Sequence, residues 1–114
     1  EGKTVIAKHA YQFTSACLRL YKREAIQTIC FPEGMIYEDV LFSVQLWCSN
    51  ATCRQIPYAG YYYTTNPTST TSKRNQEAEQ RIMRELRLLL KGQTCRNKAI
   101  ILFTILRLKI HFKL

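Results

Sequence analysis

The stretch Phe31-Pro32-Glu33-Gly34-Met35-Ile36-Tyr37-Glu38-Asp39-Val40 decides how this chain is read. It holds a chain break, a helix start and a carboxylate pair. Pro32 fixes one backbone angle and Gly34 admits conformations closed to other residues, so Phe31 to Gly34 is a turn. Behind it a helix is predicted over about Asp39 to Ser49, with Asn50 as its stop. Val40, Val44 and Trp47 form its apolar stripe, which Leu41 and Cys48 widen, and Trp47 belongs to the core on that pattern. Glu38 and Asp39 stand where free backbone amides and the helix dipole stabilise negative charge. That position favours the ionised form. An Asp39 that is to act as a base therefore needs burial or a neighbouring carboxylate to offset it. Adjacent helical residues do not share a face, so the two carboxylates need not share a role.

Upstream, Ser15 to Tyr21 reads as a buried or half-buried strand, interrupted by Arg19, and Lys22 to Ile29 as a short helix or turn. Thr4 to Ala7 fits either a strand or the start of a helix, and His9, Tyr11 and Phe13 alternate weakly. Downstream, Thr52 to Ile56 and Tyr61 to Tyr63 are strand candidates joined by a bend at Pro57 to Gly60. Thr64 to Ser72 is a polar loop suited to covering a ligand. A helix over about Gln76 to Lys91, capped by Asn75 or Ser72 and ended by Gly92, carries Ile82, Leu86 and Leu89 on one face. Asn97 to Leu114 is a last helix or strand-like run around an apolar centre, Ala99 to Leu106. Its uncharged stretch is about half what a membrane-spanning helix needs. Packing on a domain or partner is favoured over contact with a membrane surface.

The chain of 114 residues fits one domain, with a formal net charge of +9. That charge is uneven: eleven basic against three acidic residues from Lys73 on, six against five before it. The cationic part suits a phosphate, an anionic membrane surface or an acidic partner. Nucleic acid is disfavoured, because no nucleic-acid-binding motif accompanies the arginines. The five cysteines are odd in number and lack a CxxC, which argues for buried free thiols in a reducing, cytoplasmic compartment and against a zinc site. No signal-peptide pattern is read at the start. His9 and His111 lack the spacing of a ligand pair.

The ordered series Ala16-Cys17-Leu18-Arg19-Leu20-Tyr21-Lys22-Arg23-Glu24, Phe31 to Val40, Pro57 to Tyr63 and Thr64 to Thr70 resembles the back half of bacterial family 2 glycosyltransferases. The F-P-E-G-x-x-Y-E-D string is its specific part, and the resemblance covers about residues 15 to 72. It implies an α/β fold: an incomplete GT-A type fragment with a few short strands and three main helices. Residues 1–72 would be the acceptor-side portion of a catalytic domain of a cell-surface polysaccharide enzyme, and 73–114 a basic helical extension. The resemblance implies inverting transfer from a nucleotide-sugar donor to a carbohydrate acceptor, with Asp39 as the base that deprotonates the acceptor hydroxyl and Glu38 in support. Arg19, Tyr37, Tyr63 and Ser69 would contact substrate. Two departures stand out. Arg19 replaces the family's lysine, and the loop from Thr64 lacks the family's arginines. A divalent metal, Mg or Mn, is expected for the full-length enzyme, yet no D-x-D motif occurs and Asp39 is the sole aspartate. The chain alone is therefore expected to be inactive. Self-association and contact of 97–114 with the inner membrane face are the further partner expectations. The competing reading is a non-catalytic interaction module with a basic helical tail that binds a membrane surface, an acidic partner or nucleic acid.

Overall fold

The structure, a computed structural model, describes residues 14–49, 51–54 and 58–114. Among these, a short 3-10 turn at Ala16–Leu18 precedes helices α1 (Arg23–Ile26), α2 (Glu38–Cys48), α3 (Gln76–Leu89) and α4 (Cys95–Phe112). Thr4 to Ala7, His9, Tyr11, Phe13, the stop at Asn50 and the end of the Thr52 to Ile56 segment lie outside the described residues.

The centre of the fold is α2. Val40 to Val44, Leu46 and Trp47 are all buried, so this helix is covered on every side rather than along one stripe. On one side Val40, Leu41 and Val44 pack with Ile82, Met83 and Leu86 of α3 and with Ile101, Ile105 and Phe112 of α4. On the other, Phe42 stacks on Phe31, with ring centroids 4.2 Å apart and planes at 7°, and meets Tyr21 edge-on at 5.5 Å. Ser43 lies beneath this second layer and is fully buried. Its hydroxyl donates to the Thr14 carbonyl at 2.7 Å and accepts from Arg19 Nη1 at 3.0 Å, so a polar group in the core is satisfied twice.

The helix ends are closed by side chains. Asn75 Oδ1 accepts from the Ala78 amide at 3.0 Å, and Thr94 Oγ1 accepts from the Asn97 amide at 3.3 Å. Asn97 Nδ2 donates to the Cys48 carbonyl at 3.3 Å and Arg96 Nη1 to the Trp47 carbonyl at 3.4 Å, so α4's first turn satisfies carbonyls at the end of α2. Arg74 grips the buried Glu79 with two nitrogens and donates to the Phe112 carbonyl at 2.8 Å, which joins the start of α3 to the end of α4. The core thus takes residues from both the 1–72 and the 73–114 portions.

The α/β expectation is corrected. The described residues are 52% helix and 1% strand, and no sheet forms among them. An isolated bridge at Arg54 is the only extended pairing there. Ser15 to Tyr21 instead makes the 3-10 turn and an extended exit at Arg19, and the Tyr21 hydroxyl donates back to the Ala16 carbonyl at 2.9 Å. The segment buries Tyr21 against a helix and not against a neighbouring strand, and without a ladder partner its backbone gains nothing from strand geometry. Tyr61 to Tyr63 is exposed irregular backbone. Helices α2 and α3 stand where the periodicity places them, within two residues at each end, and the run read as helix or strand over Asn97 to Leu114 is the helix α4. The cysteines are free, yet Cys17, Cys30 and Cys95 are exposed rather than buried, because they lie in turns and at the start of α4.

Leu86 is fully buried between the helices. Leu86→Ala should lower unfolding free energy by about 2–5 kcal/mol in urea titration. The exposed neighbour Leu88→Ala should change it by only about 0.5 kcal/mol.

Candidate functional site

The first turn of α2 faces a shallow hollow of about 380 Å³ that is open to solvent. Ser15, Ala16 and Cys17 of the 3-10 turn line one side, with Phe31, Glu38 and Asp39. Its volume is at the small end of what ligand pockets occupy.

Two left-handed backbone positions deliver the helix to this place. Gly34, at φ 62°, makes the turn that Phe31-Pro32-Glu33-Gly34 announces, and its carbonyl accepts from Arg81 Nη1 of α3 at 2.8 Å. Tyr37, at φ 67°, is the residue preceding α2 and gives no side-chain cap. That conformation costs a non-glycine residue about 1–2 kcal/mol. Packing holds it: the Tyr37 ring lies 5.2 Å from the Phe112 ring and joins the core. Burial, and then the Glu79 carboxylate, push the Tyr37 phenol up. Glu38 and Asp39 are consequently the first two helical residues rather than caps.

Asp39 has the balance of forces that a base at this position requires. Burial raises its carboxyl above the ordinary range, and the adjacent Glu38 raises it further. Hydrogen bonds from the backbone amides of Val40 and Asp39, and the positive charge of Arg19, pull the other way and do not prevail. Arg19 is held from two directions. Its guanidinium donates to Ser43 and lies 5.7 Å from the Trp47 ring centre. It therefore sits within electrostatic reach of Asp39 as a fixed cation.

The other candidates are placed as follows. Tyr37 contributes its ring to the core and does not line the hollow. Tyr63 is exposed and Ser69 partly exposed, and neither lines the hollow. The Ser69 hydroxyl bonds Thr71 Oγ1 at 3.2 Å, inside a loop where Asn66 Oδ1 accepts from the Thr68 amide and hydroxyl.

Sequence reasoning missed Ser15, Cys17, Phe31 and Tyr61. Ser15 Oγ lies 3.0 Å from Cys17 Sγ, and that contact, followed by a hydrogen bond from the Tyr61 hydroxyl, lowers the Cys17 thiol. Tyr61 is itself exposed and does not line the hollow. Ser15 and Cys17 meet because Ser15 precedes the 3-10 turn that holds Cys17, a turn the strand reading did not contain.

No group of three His, Cys, Asp or Glu among the described residues is arranged to hold a metal ion. No described helix is long and apolar enough to cross a membrane. No family model matches the chain, and neither a curated protein nor a solved structure matches it.

The sole aspartate makes Asp39 observable by itself. In aspartate-selective ¹³C NMR its carboxyl should titrate above the ordinary range, fall in Glu38→Gln and rise in Arg19→Gln. A raised carboxyl binds its proton more tightly folded than unfolded. Stability should therefore fall as pH rises from the unfolded value through the folded one. Asp39→Asn should flatten that slope in denaturation curves and leave the protein no less stable at neutral pH.

Proposed function

We propose that this chain is the acceptor-side part of an inverting glycosyltransferase that moves a sugar from a nucleotide-sugar donor to an acceptor hydroxyl, with Asp39 as the base. The observation that carries this reading is the state of Asp39: a half-desolvated carboxyl, raised by burial and by Glu38, beside an open hollow. An acid with a raised pKa at neutral pH is a better proton acceptor than an ordinary exposed aspartate. The string from Phe31 to Asp39 supplies the second support, through its resemblance to the family.

In this mechanism the acceptor hydroxyl enters the hollow and gives its proton to Asp39 as its oxygen attacks the anomeric carbon. One such displacement inverts the centre. The nucleoside diphosphate leaves with the bonding electrons, and no protein acid protonates it. Glu38 keeps the Asp39 proton affinity high, and Arg19 holds the anionic site against excess repulsion. The Ser15 hydroxyl, the Cys17 thiol and the Phe31 ring offer the acceptor a polar edge and an apolar face. Donor binding belongs to residues beyond this chain, which alone should not turn over. The cytoplasm, where nucleotide sugars are made, is the compartment this reading requires.

In the full-length protein Asp39→Asn should lower sugar transfer by about 10²–10⁴-fold and leave the donor dissociation constant nearly unchanged. Transfer retained at the parent rate in Asp39→Asn removes Asp39 from the base role.

A further inference from the structure

Helix α4 has two apolar faces. Ile101, Ile105 and Phe112 are buried in the core. Leu102, Leu106 and Ile110, spaced by four residues, form a second row that is 53, 56 and 72% exposed. This row runs about 12 Å along the helix. Lys98, Lys109 and Lys113 fall on the same side by helical spacing, and α4 contains no carboxylate. Next to the row, Arg84 and Arg87 of α3 and Lys109 of α4 converge on a hollow of about 300 Å³, which Gln80, Met83 and Leu114 complete. Three cations share that hollow and no acidic side chain lines it. Such a cluster repels itself until an anion joins it.

We propose that this face docks on an anionic phospholipid surface, with the Leu102, Leu106 and Ile110 row in the headgroup–acyl boundary and the Arg84–Arg87–Lys109 hollow on a lipid phosphate. Charge selects this occupant. A second copy of the chain would set Lys98, Lys109 and Lys113 against their own counterparts, with no carboxylate on α4 to pair them. A protein partner reads an apolar helix row through a groove shaped to it. A fluid interface accepts a convex row without complementary shape, and it presents phosphates to flanking cations. The exposed aliphatic stems of Lys109 and Lys113 can lie along the apolar boundary while their ammonium groups meet the headgroups. The inference does not depend on sugar transfer.

The test is co-sedimentation of the full chain with vesicles. Phosphatidylcholine vesicles containing about one-third phosphatidylglycerol should bind the protein, and pure phosphatidylcholine should not. Binding should be lost at about 1 M salt. Leu106→Ser with Ile110→Ser should weaken it by about tenfold or more, and Arg84→Gln with Arg87→Gln by about tenfold, each with an unchanged circular dichroism spectrum. All four positions are exposed, so the variants keep the core. Equal binding to neutral vesicles, or full binding by the Leu106→Ser/Ile110→Ser variant, overturns the proposal. Displacement by millimolar inorganic phosphate with no effect of the apolar substitutions reduces the hollow to a free-anion site and also overturns it. So does capture by an acidic polypeptide or RNA where anionic vesicles fail.

Discussion

The rest of the molecule depends on one constraint: α2 buries Val40 to Val44, Leu46 and Trp47, which reach around most of its circumference and must be covered on more than one side. Helices α3 and α4 cover one side. Nothing in those helices covers Phe42 and Ser43, so the segment from Thr14 to Phe31 folds down over them. The buried Ser43 hydroxyl is the peg of that layer. It ties the Thr14 backbone and the Arg19 guanidinium to the helix at one point. The hollow is the gap left where this layer meets the first turn of α2. A site built this way takes its geometry from core packing, and its position is as rigid as the helix beneath it.

The same constraint sets the electrostatics. A helix start in water would hold Asp39 well ionised through its free amides and dipole. Here the covering layer removes enough water that burial becomes the largest influence, with Glu38 second. Arg19 moderates the result. It is anchored through Ser43 and the Trp47 ring, so its charge is fixed at a distance and does not pair with Asp39 directly. A direct Arg–Asp ion pair would have drawn the carboxyl down and removed its basicity. Holding the cation one layer away leaves a proton acceptor in a place where a bare helix end would leave only a cap.

How much of this was legible follows from the kind of signal each element carries. Helices α2 and α3 were readable because Val40, Val44 and Trp47, and Ile82, Leu86 and Leu89, repeat at helical spacing over about two turns. The Asn75 cap was readable because its chemistry is local. Ser15 to Tyr21 was misread because short apolar runs suit a strand and a packed turn equally, and only the missing ladder partner decides. Phe42 and Leu46 off the main stripe were the hint that α2 is buried on both sides. The carboxylate pair was legible from its string, but its altered proton affinity was not. That depends on Thr14 to Phe31 reaching α2 from far along the chain. The influence of Tyr61 on the Cys17 thiol was hidden for the same reason, since more than forty residues of sequence separate them.

The two proposals meet at one contact. The Tyr37 ring, immediately before Glu38 and Asp39, packs on Phe112 at the end of α4. Arg74 binds the Phe112 carbonyl and holds that end to α3. The start of α2 and the finish of α4 are therefore one rigid corner of the fold. Ile110 and Lys113, at the cationic end of the exposed row, belong to that corner. The exposed row and the turn that bears Asp39 are thus tied to the same packed corner through opposite faces of α4. Tyr37 keeps its left-handed φ of 67° at this corner, where its ring packs on Phe112 and the following carboxylates line the hollow, so core packing offsets the backbone strain.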